Sequence, residues 1–353
     1  MWISRRACFL MTVAMLLSLS PSMTQAAGYK ALVTQQEGIE IVRLSDAGHK
    51  VEVSIVPSIG NIAFSMKVNG HEILYMPTRS LVELKSNPGL GGVPFLAPWA
   101  NRIDGLSYWA NGKKYLLNEE IGSLRVDGNH LPIHGLVSFS SFWQIAGTKA
   151  DGNSASCTSR LEFWKHPEFM AQFPFAHTIE MTYRLHDGRL SVETVLKNLS
   201  ADPMPVAIGF HPYFQLDDAP RDDWHAHLPV HEHLVLNEKL TPTGEKHPMD
   251  LADPFPLAGN KLDDGFTGLI RGTDGRADFW VKGKNQQITV SYGPKYTVAV
   301  AYAPPGKSFI CFEPMSAVTD GFNLAHAGKW NELQSVPAGG EWRESFEIRP
   351  TGF

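Results

Sequence analysis

The sequence predicts an all-β chain, and three observations carry that prediction. Apolar and polar residues alternate with period two over most of the chain, whereas long helical periodicity is nearly absent. Asn-Gly and Asp-Gly pairs recur between the alternating segments, and these are the dipeptides that two-residue hairpin turns favour. The 31 glycines and 24 prolines are spread between segments as punctuation and mark no linker. Many short strands divided by such turns predict a β-sandwich or barrel, and a single β-domain can run well beyond the usual domain size.

Residues 1–27 stand apart from this pattern. They carry Arg5 and Arg6, an apolar run from about Ala7 to Leu19 and small residues near Ala26, the three parts of a secretory signal peptide. The run is shorter than the ~20 residues that cross a bilayer. The mature chain is therefore expected to be exported, periplasmic or secreted, with no membrane anchor, as one domain over residues 28–353. Losing the leader lowers Lys+Arg from 31 to 29 against 36 Asp+Glu, a net charge of about −7. An acidic chain without a basic block offers no footprint for nucleic acid. With 43% hydrophobic and 19% charged residues it reads as an ordinary globule with a sizeable core. Cys157 and Cys311 remain in the mature chain, enough for one disulfide but too few for a zinc site of their own.

Along the mature chain, "MKVNGHEILY" predicts a hairpin turning at Asn69-Gly70 and "YWANGKKYLL" one at Asn111-Gly112. The clearest is "TIEMTYRLHDGRLSVETVLKN". There Ile179, Met181, Tyr183 and Leu185 share one face, Asp187-Gly188 turns, and Leu190, Val192 and Leu196 resume the apolar face. "ESFEIRP" predicts a closing strand. Two Pro- and Gly-rich stretches, about 86–105 and 303–325, show little alternation and are candidate site loops.

Several segments carry residues with chemistry to offer. In "AIGFHPYF", Ala207 and Gly209 share a strand face with His211, giving a small-residue floor beside an imidazole that Pro212 holds extended. That arrangement suits a ligand-facing histidine and also a plain strand end. In "SFICFEPM", Phe309, Cys311 and Glu313 lie on one face and Ile310 and Phe312 on the other, which predicts a strand buried on both sides. Glu313 would be a carboxyl at the border of the core with a raised pKa, either paired structurally or poised as a base. "GVPFLAPWANRIDG" places Trp99, Asn101 and Arg102 in a loop, as donors for hydroxyl oxygens or as a salt bridge. His134 lies in the turn "LPIHGLV", and Asp263, Asp264 and Phe266 in "KLDDGFTG". The pairs His225/His227 and His231/His233 each occupy one strand face, a spacing open to a metal but lacking a closed ligand set.

Taken in order, "NRI", "HG", "HPYF", "LDDGF" and "FEP…GFN" resemble the aldose 1-epimerase family, the galactose mutarotases and their relatives, over nearly the whole mature chain. "GFHPYF" and "PFLAPWANRI" look closer to the broad branch that includes hexose-6-phosphate 1-epimerases. The resemblance implies a large antiparallel β-sandwich, the galactose mutarotase-like supersandwich, with a sugar cleft on one sheet. It implies Glu313 as general base, His211 as general acid, and Arg102, His134 and an aspartate of "LDDGF" as holders of the sugar's hydroxyls. Asp263, three before the aromatic, is the first choice and Asp264 the fallback. Asn101 would add hydroxyl contacts, and Trp99 or Phe266 would pack on the sugar's apolar face.

Anomer interconversion needs one acid and one base, so neither metal nor cofactor is expected, and the partner is a small sugar. Export points to a free hexose, since sugar phosphates are mostly cytoplasmic. A non-catalytic carbohydrate-binding protein on the same fold is one alternative. Another is a glycoside hydrolase with Asp263 and Glu313 about 5–9.5 Å apart. The small floor further implies that enlarging Gly209 would harm turnover more than folding.

Overall fold

The computed structural model describes residues 28–353; the expected leader lies outside the described residues. Two large antiparallel sheets dominate. The nine-stranded sheet runs in the order Phe255–Pro256, His225–His227, Ala277–Lys282, Gln287–Tyr292, Glu341–Thr351, Arg189–Asn198, His177–His186, Ala155–Leu161 and Gln144–Ala150. Against it lies an eight-stranded sheet ordered Pro242–Pro248, Val230–Leu236, Leu262–Leu269, Val298–Ala303, Ile310–Met315, Gly209–Phe210 and Phe95–Leu96, with Tyr213–Phe214 also pairing to Ile310–Met315. Between them Phe210 meets Phe346 at 4.8 Å and Phe279 meets Phe312 at 6.1 Å, so this is the all-β sandwich that the turn pattern predicts. A five-stranded meander from Tyr29 to Glu72 adds a further sheet.

All three predicted hairpins form. Asp187 and Gly188, at φ 45° and 69°, turn His177–His186 into Arg189–Asn198, and the register pairs Ile179 with Leu196 and Tyr183 with Val192. Asn69-Gly70 and Asn111-Gly112 also adopt positive φ at their turns. "ESFEIRP" lies within the strand Glu341–Thr351, which joins the two halves of the nine-stranded sheet.

The strand Ile310–Met315 is buried along its whole length. Ile310 and Phe312 enter the core between the sheets, whereas Cys311 packs on the opposite side against Tyr213 and Phe309. Alternation then puts Glu313 on that second face, which becomes the floor of the site. Cys157 and Cys311 are both buried free thiols in different parts of the core.

The stretch "AIGFHPYF" corrects one expectation. It is not one strand: Met204–Val206 pairs with Gln334–Val336, Gly209–Phe210 joins the large sheet, and Tyr213–Phe214 resumes beyond His211 and Pro212. The small residues serve the fold. A Cβ on Gly209 would sit 2.9 Å from the Ala100 Cβ, 3.0 Å from the Met315 Cγ and 3.0 Å from the Pro314 carbonyl oxygen. Gly209→Val is therefore expected to lower stability by about 3 kcal/mol through overpacking, read as a fall in the denaturation midpoint. Loss of turnover with an unchanged midpoint would contradict this reading.

Candidate active site

The site is built where the loop 97–104, the turn at His134 and the strand Ile310–Met315 converge. Three non-glycine residues there hold left-handed backbone: Asn101 at φ 56°, His134 at φ 62° and Asp320 at φ 58°. Such conformations cost on the order of 1–3 kcal/mol each and persist only where the surroundings impose them. Here the surroundings are mutual: the His134 N–H donates to the Asn101 carbonyl at 2.9 Å, and the Asp320 N–H donates to the Arg102 carbonyl at 2.8 Å. Gly135 follows His134 because a Cβ would lie 2.1 Å from the Ala97 carbonyl oxygen, in a backbone at φ 66°. The short motifs "NRI" and "HG" thus encode backbone geometry as well as side chains.

At the centre, His211 Nε2 lies 3.1 Å from Glu313 Oε1, and both side chains are almost wholly buried. Burial pushes the Glu313 carboxyl well up, Asp263's charge pushes it further, and Arg102 opposes both. Burial pulls His211 down to about 3. Both shifts favour uncharged groups, which puts the pair's proton on the carboxyl side. The His211 ring stacks on Tyr213 at 4.6 Å and meets the edge of Tyr302 at 5.9 Å. His134 stands edge-on to His211 at 5.5 Å, and burial, with the charges of Arg125 and Arg102 nearby, pushes its pKa well down.

Arg102 donates through Nε to Asp127 Oδ2 at 2.6 Å and through Nη1 to Asn101 Oδ1 at 3.1 Å. The salt bridge expected of this arginine therefore forms, with Asp127. Asn101 Oδ1 is committed to positioning Arg102, and among the described residues Nη2 makes no hydrogen bond. Asp263 and Asp264 project to opposite faces of their strand. Asp264 accepts from His233 Nε2 at 3.0 Å and from the Asp263 N–H at 3.1 Å, so it is already engaged. Asp263 has no side-chain hydrogen bond among the described residues; burial raises its pKa against the pull of Arg102.

Two aromatic expectations are corrected. Trp99 is 2% exposed and packs in the core beside Tyr108, because its loop runs under the sheet and bridges to Ala207. Phe266 is fully buried beneath His233, on the strand face opposite Asp263. Neither can offer a face to a ligand. The aromatic wall beside His211 is instead Tyr75, Tyr213, Tyr302 and Phe309. Tyr213 could have been found, since it follows His211 by two in "HPYF" and extended chain puts such residues on one side. Asp127, distant in sequence from Arg102, gave no such signal. His227 is tied to Asp253 at 2.6 Å, and no group of three metal-ligating side chains occurs among the described residues.

Asp320 was also missed. Its Oδ1 accepts from the Asp104 N–H at 3.0 Å and from Asn323 Nδ2 at 2.7 Å, clamping the Arg102 loop to the helix Gly321–His326. Asp320→Ala is expected to cost about 1–3 kcal/mol and to raise KM through a displaced Arg102. Asp320→Asn, which keeps the acceptor and tolerates left-handed backbone, should recover most of both. Burial raises the Asp320 pKa from 3.8 to about 6, so wild type loses stability relative to Asp320→Asn as pH rises through that range. Denaturation of the three proteins at pH 4 and pH 7.5 checks both points; equal stabilities would contradict the clamp.

Comparison with known proteins agrees with this architecture. The family model described as Aldose 1-epimerase matches residues 41–349. A galactose mutarotase-like protein from Clostridium acetobutylicum superposes with a TM-score of 0.81 at 19% identity, covering 93% of this chain and 99% of that one. A galactose 1-epimerase from Lactobacillus acidophilus gives 0.71 at 13% identity, covering 93% and 100%. An aldose epimerase homologue from C. elegans gives 0.67 at 16% identity, covering 92% and 99%. These structures share the galactose mutarotase-like β-sandwich fold, and with the family match over most of its length the chain belongs to the aldose 1-epimerase family.

Proposed function

We propose that this protein is an exported aldose 1-epimerase that interconverts the α- and β-anomers of a free hexose, with Glu313 and His211 as its proton-transfer pair. The observation that carries the reading is the 3.1 Å contact between His211 Nε2 and Glu313 Oε1. The anomeric hydroxyl and the ring oxygen are bonded to the same carbon, so the base for one and the acid for the other must act within a few ångströms of each other. The group in contact with Glu313 is an imidazole, which favours a single acid–base pair at one carbon over the paired carboxylates a glycoside hydrolase would use.

The resting proton shifts from Glu313 to His211 as the sugar's hydroxyls enter and solvate the charges. The carboxylate then takes the proton from O1 while the imidazolium gives one to O5. The C1–O5 bond breaks, C1=O forms, and the open chain turns about C1–C2. Reclosure runs the two transfers in reverse on the other face of C1, so protons balance over the cycle. Arg102 Nη2, His134 and Asp263 hold the remaining hydroxyls in place during the turn. Tyr302, half-buried on the cleft face, is the ring available to the sugar's apolar side.

The test is polarimetry on freshly dissolved α-anomers of glucose, galactose and a panel of other aldoses. Acceleration of at least one over its spontaneous rate is expected; unchanged rates for all would overturn the enzymatic reading.

A further inference from the structure

Asp263 lies on a strand that is registered against a neighbour on one side only. Along Val298–Ala303 the ladder of Leu262–Leu269 runs from Phe266 to Leu262 and sets Asp263 opposite Tyr302. Along Val230–Leu236 it stops at the pair His233–Phe266, and among the described residues no strand residue is registered on that side opposite Asp263 or Asp264. Val230–Leu236 also breaks register with its outer neighbour Pro242–Pro248 between Leu234 and Leu236, and such a break bends a strand.

Side chains take over where the ladder ends. Asp264 Oδ2 accepts the Asp263 N–H at 3.1 Å, and Asp264 Oδ1 accepts from His233 Nε2 at 3.0 Å. The bond to Asp264 raises the His233 pKa against the opposing effect of burial. The imidazole is seated as well, since its ring stacks on the fully buried Phe266 at 4.8 Å. A continuous chain of contacts thus runs from the core through His233 and Asp264 to the backbone of Asp263. The Asp263 carboxylate, which lines one cavity with Arg102, has no side-chain hydrogen bond among the described residues, so its aim depends on that backbone.

We infer that His233, on the far face of the sheet from the cleft, is a positioning residue for sugar binding: it holds Asp264, and Asp264 holds the backbone that aims the Asp263 carboxylate. This rests on the epimerase reading, with Asp263 holding a hydroxyl of the sugar. The experiment measures KM, kcat and the denaturation midpoint, using the aldose that wild type accelerates most. The variants are His233→Phe, His233→Gln, Asp263→Ala and the double variant combining His233→Phe with Asp263→Ala. Phenylalanine keeps the stack on Phe266 and removes the donor, whereas glutamine returns an N–H near the place of Nε2.

His233→Phe should raise KM about tenfold with kcat nearly unchanged, and His233→Gln should bring KM back towards wild type. In the Asp263→Ala background the same His233→Phe change should alter kcat/KM by less than about twofold, because the group it positions is gone. A KM that His233→Phe leaves unchanged, or a loss as large without the Asp263 carboxylate as with it, would overturn the inference and leave the epimerase reading standing. Acceleration of no sugar by wild type would overturn both.

Discussion

Glu313→Gln is expected to lower kcat by ~10²–10⁴-fold, the usual range for a positioned acid or base, in a protein that folds as well as wild type or better. Glutamine matches the shape of the uncharged carboxyl that burial favours and places no charge beside His211. Stability supplies an independent readout. A carboxyl with a raised folded pKa stabilises the fold fully below its unfolded value of 4.5 and loses that contribution as pH rises towards the folded value. Wild type should therefore lose ground to Glu313→Gln above pH 4.5 by about 1.4 kcal/mol per pH unit, levelling once the folded group ionises. Urea denaturation of both proteins from pH 4.5 to 8.5 measures this. A constant difference across that range would show that Glu313 is not held protonated.

His211→Asn should lower kcat by a similar ~10²–10⁴-fold, with the opposite pH signature. Its folded pKa is depressed from 6.5 to about 3, so its contribution is present above pH 6.5 and is lost as pH falls through that window. The variant should gain on wild type as the solution is acidified from pH 7 to pH 4. Because the two groups pass one proton between them, the double variant should be little slower than either single one. Full kcat in His211→Asn would leave this histidine with only its packing on Tyr213.

Much of this molecule is legible in its sequence because its hairpins are local. Asp187-Gly188, Asn111-Gly112 and Asn69-Gly70 need only left-handed backbone between alternating strands, and the residues themselves supply it. Glu313's burial was also legible, since apolar neighbours on both faces of one strand leave it no solvent. What depends on a partner distant in sequence was not. Gly209 is small for the sake of Ala100 and Met315, and alternation within "AIGFHPYF" cannot reveal either neighbour. Trp99 and Phe266 looked like sugar platforms because they lie within three residues of Arg102 and Asp263, but Phe266 falls on the strand face opposite Asp263, and Trp99 is drawn into the core where its loop bridges to Ala207. Arg102 was found, whereas Asp127, which fixes its guanidinium from another turn, was not.

If the buried pair His211–Glu313 moves protons for anomer exchange, the anomers of a substrate sugar interconvert faster than they do spontaneously. Exchange NMR on D-glucose and D-galactose at anomeric equilibrium measures the α-to-β rate directly, without the optical changes that impurities or slow hydrolysis introduce. Wild type should raise that rate for at least one of the two sugars, and Glu313→Gln and His211→Asn, both folded, should return it close to the spontaneous value. Exchange at the spontaneous rate with wild type, or at the full enzymatic rate with either variant, would contradict the account.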